Sequence, residues 1–105
     1  MQAAHDQSLL RDINERIRTL APPSLYVEFL CECPDAACLE LVSMTISEYD
    51  DVRRIPSHFV IRPGHYDPLV ERVVRNEGRY SVVELFGEAG IAAVRLDPRR
   101  AGLSV

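Results

Sequence analysis

FLCECPDAAC, at residues 29–38, contains all three cysteines of the 105-residue chain. Cys31 and Cys33 stand two positions apart at the end of an apolar run, so in an extended backbone their side chains point to the same side. Pro34 restricts φ and favours a turn, which can bring Cys38 back towards the first two cysteines. The stretch therefore predicts a loop on which three thiolates converge, and we expect the rest of the chain to hold this loop in place.

Three thiolates leave a closed zinc shell one ligand short, because a structural zinc site takes four ligands, usually Cys or His. His65, in the segment RPGH, is the candidate for the fourth position. His58 is the second choice, whereas His5 lies near the N-terminus and Asp35 would be a poorer ligand. The predicted site is a structural Zn²⁺ ion bound by Cys31, Cys33, Cys38 and His65.

Two other interpretations of the cysteines stay open. A buried free cysteine often packs as a small hydrophobic residue, and the Cys-x-Cys-x4-Cys spacing is less diagnostic than paired Cys-x2-Cys motifs. Alternatively, Cys31 and Cys33 form and break a disulfide that Cys38 resolves, which requires one thiol with a lowered pKa. The negative charges of Glu32 and Asp35 would raise the thiol pKa values and so disfavour this redox interpretation.

The composition is that of one soluble globular domain, with 47% hydrophobic and 27% charged residues. No apolar stretch reaches the roughly 18 residues of a membrane span, and residues 1–6 lack the features of a signal peptide. We therefore expect a cytoplasmic protein with reduced thiols and no membrane partner, and an odd number of cysteines then favours a metal over disulfides. The net charge of −4 disfavours a general nucleic-acid binder.

Residues 1–23 are predicted to form an N-terminal amphipathic helix, with its regular part at residues 8–20. Asp6 or Ser8 can cap its start, and Pro22 ends it. Its apolar residues recur at intervals of three and four. They are Leu10, Ile13, Ile17 and Leu20. We expect this side to face the core of the same domain; the alternative is a homodimer or partner seam, because the spacing also fits a coiled-coil register.

Residues 24–96 are predicted to complete a single α+β domain with the helix. Its expected parts are a small antiparallel sheet, two or three short helices packed mainly on one side, and a zinc-knuckle hairpin loop. Residues 24–31 alternate between apolar and polar side chains and should pair with residues 39–44 across the cysteine loop. Further strands are predicted at residues 58–61 and 79–86.

Two more helices are predicted from their start signals. Thr45 and Glu48 form a capping-box pattern ahead of a helix over about residues 46–55. Asp67 followed by Pro68 resembles a second helix start, and the valines after it suggest a short helix that ends before Gly78.

The C-terminal part of the chain carries weaker patterns. Residues 91–96 fit either an additional edge strand or a helical turn. Residues 97–105 are predicted to be a flexible tail.

Charged residues cluster in two places. Six of the twelve arginines lie between residues 53 and 79 and could form a patch for an acidic protein or a nucleic acid, although scattered solvated charges are the favoured explanation. They are Arg53, Arg54, Arg62, Arg72, Arg75 and Arg79. Glu48, Asp50 and Asp51 cluster at a predicted helix start, where the helix dipole and solvation account for them.

No common catalytic motif occurs in the chain. A Gly-rich phosphate loop and the GxSxG and HExxH patterns are all missing from the sequence. We therefore expect a non-enzymatic, metal-stabilised interaction or regulatory adaptor module with an unidentified protein partner. The alternatives are a Cys-x-Cys thiol redox protein and a nucleic-acid-binding regulator that uses the arginines.

Several short motifs in one order are similar to a known group of proteins. They are the Phe-x-Cys-x-Cys start, the third cysteine, the Thr-x-x-Glu-Tyr helix start, the Val-Arg pair, the Phe-Val-x-x-Pro-Gly-His turn and the Val-Glu strand. Together these motifs, which span residues 29–84, and residues 13–17 resemble small uncharacterised bacterial proteins from high-GC genomes. The resemblance implies that the cysteines and His65 act as one unit, and it implies no reaction.

Overall fold

The computed structural model describes residues 2–22, 25–35 and 37–99. In chain order the elements are α1 (Gln2–Leu20), β1 (Val27–Leu30), β2 (Leu41–Met44), α2 (Ile46–Val52), β3 (His58–Ile61), β4 (Glu71–Asn76), β5 (Ser81–Leu85) and α3 (Gly87–Arg95). These helices, with a two-stranded sheet and a three-stranded sheet ordered β3-β5-β4, confirm the α+β fold. Within the described ranges, no helix is long and apolar enough to cross a membrane.

The predicted hairpin forms on either side of the cysteine loop. β1 and β2 pair antiparallel, with Val27 opposite Met44. Val27 and Phe29 are buried whereas Glu28 is exposed, as the alternating pattern predicts. The Phe29 ring stacks on Tyr49 of α2 at a centroid distance of 4.3 Å, which fixes the hairpin against that helix. Residues 23 and 24, which the prediction placed at the helix end and the strand start, lie outside the described residues.

The three-stranded sheet is covered on both faces. Phe59 and Val83 on one face pack with α1 and α3, while Val60 and Val82 on the other face pack with α2 and the β1–β2 hairpin. The expectation that the helices lie mainly on one side holds for α1 and α3, whereas α2 packs on the opposite face. β3 and β5 carry consecutive apolar residues, which is the pattern of strands that are buried on both faces.

The capping box at the start of α2 is confirmed. Thr45 Oγ1 accepts a hydrogen bond from the Glu48 amide at 3.0 Å, and the Glu48 carboxylate accepts one from the Thr45 amide at 2.9 Å. The helix ends at Val52, earlier than the predicted residue 55, and Ile55 is exposed.

The predicted helix after Asp67 is wrong. The amides of Val70 and Glu71 both donate to the Asp67 carbonyl, but this single turn leads into strand β4, which pairs with β5. The two valines of β4 favour a strand, and β5 offers a partner that the sequence pattern does not reveal. Gly78 has a φ of 85°, which serves the β4–β5 turn and not a helix end.

Residues after β5 are more ordered than predicted. The helical alternative for residues 91–96 is correct, and α3 already begins at Gly87. Asp97 is buried and forms an ion pair with Arg53, and Arg99 binds Glu15, so a flexible tail is wrong for residues 97–99. Residues 100–105 lie outside the described part of the chain.

α1 presents a polar side to the core, so the predicted inward position is wrong for Ile13 and Leu20, whereas Ile17 does pack against the core. From residue 4 onward, the buried residues of this helix are Ala4, Gln7, Ser8, Arg11 and Asn14. Ile13 and Leu20 are 46% and 81% exposed. The helix also begins at Gln2, which places Asp6 and Ser8 inside it and not at its cap. The physical reason is that Gln7, Arg11 and Asn14 donate to backbone carbonyls beneath the helix, which apolar side chains could not do.

Candidate metal centre

Four side chains converge at the loop that connects β1 and β2. Cys31, Cys33, Cys38 and His65 each offer one ligand atom, and these atoms all lie within 4.8 Å of one another. His65 Nδ1 lies 3.7 Å from Cys31 Sγ and 3.6 Å from Cys38 Sγ. All three cysteines are free thiols. The structure thus brings together the four residues that the sequence predicts, and the cluster could hold a metal ion.

Cys31 and Cys33 reach the cluster through extended backbone that continues from β1. The Cys31 amide donates to the Glu40 carbonyl, and the Glu32 amide donates to the Val60 carbonyl, so this segment lies against the open edge of β3. Both cysteines are 2% exposed, while Glu32 between them points to the other side. The two-residue spacing therefore acts as expected for an extended chain.

Cys38 returns to the cluster through a turn after Pro34. The Asp35 carboxylate accepts a hydrogen bond from the Ala37 amide at 2.9 Å, and the Cys38 amide donates to the Asp35 carbonyl at 3.0 Å. These bonds close the loop and aim Cys38 back at the first two cysteines. Asp35 thus stabilises the loop, and it is not one of the four clustered residues.

His65 enters from the turn that follows β3. The His65 amide donates to the Arg62 carbonyl at 3.1 Å, and Gly64 has a φ of 87°. Glycine adopts this left-handed conformation without the strain that a Cβ atom would introduce. The turn at Pro63 and Gly64 therefore directs the His65 imidazole towards the thiols.

The surroundings of the thiols suit a bound cation. Burial raises the pKa of Cys31 and of Cys33, so these thiols hold their protons at neutral pH unless a positive charge lies beside them. The Arg62 amide donates to Cys31 Sγ at 3.2 Å, which opposes the effect of burial and is typical of the outer-shell hydrogen bonds around metal thiolates. Raised pKa values also disfavour the redox alternative, which needs a ready thiolate.

The other two histidines lie elsewhere. His58 begins β3, whereas His65 follows the end of that strand, and four residues of strand span about 13 Å. His58 Nε2 lies 3.3 Å from a Glu84 carboxylate oxygen. His5 is exposed on α1. The cluster contains His65 and not His58.

Glu32 supports the site in a way that the sequence analysis missed. Its carboxylate accepts hydrogen bonds from Asn14 Nδ2 at 2.8 Å and from the Val60 amide at 2.9 Å, on the side away from the thiols. Complete burial raises its pKa to about 7. Alternation in the cysteine segment could have revealed its direction, because a residue between two inward cysteines points the opposite way in an extended chain.

The six central arginines do not leave a free basic patch. Arg53 is buried, and the other five each lie within 4.0 Å of a carboxylate. The pairs are Arg54 with Asp51, Arg62 with Glu40, Arg72 with Glu84, Arg75 with Asp51 and Arg79 with Glu48. Four carboxylates thus offset most of the positive charge of five guanidinium groups, Asp51 being shared by two of them, which disfavours the nucleic-acid alternative.

The carboxylates of α2 have partners beyond the helix dipole. Glu48 binds Arg79, and Asp50 accepts hydrogen bonds from Arg18 and Arg99. These guanidinium groups hold the pKa of Glu48 and of Asp50 below the usual range. These acidic residues therefore connect α2 to Arg18, Arg79 and Arg99. The explanation from the helix dipole and solvation does not include these contacts.

An open cleft of about 430 Å³ lies beside the cluster. Residues of both loops line it. They are Cys33, Pro34, Asp35, Gly64, His65, Tyr66 and Asp67. Tyr66 is 43% exposed. The two loops that carry the four clustered residues thus also form a concave surface.

Comparison with protein families, with curated proteins and with solved structures finds no match for this chain. The resemblance to small bacterial proteins from high-GC genomes stays a prediction, and the function has to be argued from the site.

Proposed function

We propose that Cys31, Cys33, Cys38 and His65 bind one structural zinc ion. The observation that carries this proposal is the distance from the imidazole nitrogen to two of the sulfurs. With Zn–S near 2.3 Å and Zn–N near 2.0 Å, tetrahedral geometry separates N and S by about 3.5 Å. His65 Nδ1 lies 3.7 Å from the Cys31 sulfur and 3.6 Å from the Cys38 sulfur. Both distances are close to the N–S separation in such a tetrahedral site.

The donor set supports zinc and a structural role. Three thiolates and an imidazole are ligands that zinc prefers, and four protein ligands close its shell without an open position for a substrate. When bound, the ion supplies the positive charge that lets the buried thiols ionise. The His65 imidazole binds through Nδ1, which leaves Nε2 on the far side of the ring.

The protein would then be a non-enzymatic interaction or regulatory adaptor module of the cytoplasm. Zinc ties the loop at residues 31–38 to the turn at residues 62–65, and these segments form part of the cleft with Asp35, Tyr66 and Asp67 on its walls. A fixed, partly exposed aromatic residue beside polar groups is a typical recognition surface for a protein partner. The reduced thiols that zinc requires fit a cytoplasmic location.

Elemental analysis of protein purified without added metal tests the proposal. We expect about one zinc per chain, and we expect Cys38→Ser and His65→Ala to lose most of it. His58→Ala is the matched control, because His58 lies at the other end of β3 and should leave the zinc content unchanged. Metal-free protein with a Cys31–Cys33 disulfide would instead establish the redox alternative.

Cobalt substitution tests the geometry independently of the metal content. Co²⁺ in a site of three thiolates and one imidazole should give intense sulfur-to-metal charge-transfer bands and the visible bands of tetrahedral cobalt. Octahedral cobalt bands, or a spectrum that His65→Ala leaves unchanged, would contradict the proposed ligand set.

A further inference from the structure

α1 exposes the apolar side of an amphipathic helix. Leu9, Ile13 and Leu20 are 51%, 46% and 81% exposed, while Arg11 and Asn14 on the opposite side are fully buried. Exposed leucine or isoleucine is common as a single residue, but a row of them along one helix marks an interaction surface.

The helix cannot rotate to bury this row. Gln7 donates to the Glu32 carbonyl, Arg11 donates to the Pro56 and Ala93 carbonyls, and Asn14 donates to the Leu30 carbonyl. Turning α1 about its axis would break all of these bonds and bury their groups without partners. The outward direction of the apolar row is therefore fixed by the fold.

The exposed row has the spacing of a two-helix seam. Asp6, Leu9, Ile13, Arg16 and Leu20 follow one another at intervals of three, four, three and four. At 3.6 residues per turn these five positions fall within an arc of about 80°, directly opposite the buried side of the helix. We call these five residues the outer seam; its intervals are those of the a and d positions of a coiled coil.

We propose that the outer seam binds the outer seam of a second copy of this chain, with the two helices antiparallel. In this arrangement Leu9 of each copy lies opposite Ile13 of the other, and Asp6 of each copy lies opposite Arg16 of the other. The two-fold axis thus creates two apolar pairs and two ion pairs from four residues. Such an isologous contact closes on itself and yields a dimer without further growth.

The charges of Asp6 and Arg16 favour a second copy of this chain as the partner, and they favour antiparallel helices over parallel ones. A parallel pair would place Asp6 against Asp6 and Arg16 against Arg16, which is unfavourable at both ends. In the antiparallel pair each of these charges meets an opposite one. The seam is only about four turns long, so the contact belongs to the small, transient class of interfaces. The inference goes beyond the proposed metal role, and it does not depend on the zinc ion.

Sedimentation equilibrium of the full-length protein from about 10 µM to about 1 mM tests the proposal, since this range covers weak association. We expect the mass to rise towards twice 11.9 kDa. Ile13→Glu should hold the mass at 11.9 kDa throughout, because it places carboxylates in the centre of the seam. Leu69→Glu is the matched control, since Leu69 is 83% exposed outside the seam and should leave the dimer intact.

Charge reversal tests the antiparallel register. Asp6→Arg alone and Arg16→Asp alone each place like charges opposite one another, and we expect each to raise the dimer Kd about tenfold. The double variant with both substitutions restores opposite charges and should recover the wild-type Kd. Far-UV circular dichroism and zinc content of every variant must match the wild type.

Three outcomes would overturn the proposal. They are a wild-type protein that stays monomeric up to 1 mM, a dimer that survives Ile13→Glu, and a charge-reversed double variant that associates no better than the single variants. The first outcome would assign the seam to a different partner, the second would place the dimer contact elsewhere, and the third would exclude this register.

Discussion

Asn14 connects α1 to the strand that carries the first two cysteines. Its side chain donates to the Leu30 carbonyl at 2.9 Å and accepts from the Leu30 amide at 2.8 Å, so it pairs with both backbone groups of that residue. It also donates to the Glu32 carboxylate at 2.8 Å. One amide side chain thus satisfies three polar groups directly ahead of and between the cysteines.

Replacing Asn14 should lower the free energy of unfolding far more than replacing an exposed residue of the same helix. Asn14→Ala leaves the Leu30 backbone groups and the Glu32 carboxylate without this partner, and we expect the free energy of unfolding to fall by about 2 to 3 kcal/mol. Urea denaturation measures the loss. His5→Ala, an exposed control on the same helix, should change the stability by less than about 0.5 kcal/mol. Equal effects of the two substitutions would show that the Asn14 bonds contribute nothing specific.

Glu71 should make stability fall as pH rises. Glu71 is 1% exposed, and burial raises the pKa of its carboxyl group above the ordinary value of 4.5. The folded protein then binds a proton at pH values where the unfolded chain has released it, so the free energy of unfolding decreases as pH rises from 4.5 through the folded-state pKa. Glu71→Gln removes this proton uptake and should flatten the slope.

Denaturation curves at a series of pH values between about 4.5 and 8 check this prediction. The difference in unfolding free energy between the wild type and Glu71→Gln isolates Glu71 from the other titrating groups. That difference should shift steadily in favour of the variant as pH rises. Parallel pH profiles would mean that Glu71 titrates normally.

At the scale of elements, the turn after β3 determines where His65, the proposed fourth ligand, lies. Gly64 has a φ of 87°, and Gly78 in the β4–β5 turn has nearly the same φ of 85°. A Cβ atom would meet nothing within 4 Å at either position, so an alanine is strained only by its backbone conformation. The two glycines are therefore a matched pair that differs in the segment that each one controls.

Gly64→Ala should weaken metal binding where Gly78→Ala does not. Each substitution should lower the stability by about 1 to 2 kcal/mol, the cost of a left-handed residue with a Cβ atom. Only the turn at Gly64 positions a ligand, so we expect its substitution alone to lower zinc affinity, by about tenfold. Competition with a coloured chelator measures the affinity. Equal affinities in the two variants would show that the turn adapts without cost to the site.

At the scale of the whole molecule, ion pairs fasten the end of α3 to the middle of the chain. Arg53 and Asp97 are both buried and pair with each other, 44 positions apart in sequence. Arg99 bridges Glu15 of α1 and Asp50 of α2 closer to the surface. The first residues after α3 thus join three helices, although their sequence resembles that of a tail.

The buried pair of Arg53 and Asp97 should contribute more to the free energy of unfolding than the bridge that Arg99 forms near the surface. Asp97→Ala leaves the buried Arg53 guanidinium with only its longer contact to Glu15, 3.7 Å away, and we expect a loss of about 3 kcal/mol in unfolding free energy. Arg99→Ala removes partly exposed pairs and should cost about 1 kcal/mol or less. Thermal and urea denaturation of both variants provide the comparison. A smaller loss for Asp97→Ala than for Arg99→Ala would contradict the structure of this region.

Local patterns predict the parts of the fold whose cause is local. The alternation around Phe29, the capping box at Thr45 and the turn at Gly64 each depend on a few neighbouring residues, and each is observed. The segment after Asp67 carries an equally clear helix-start signal and yet forms a strand. Pairing with β5 determines that this segment forms a strand. The local sequence pattern does not show this, because the partner strand lies about ten residues further along the chain.

The sequence by itself determined the α+β class, the hairpin around the cysteine loop, and the four residues of the candidate metal centre, because spacing and turn chemistry act over short distances. Only the tertiary structure decided which side of α1 faces inward, which groups Glu32 binds and how Asp97 is held. Those outcomes depend on which backbone carbonyls and buried charges need a partner, and that need arises only when distant segments pack together.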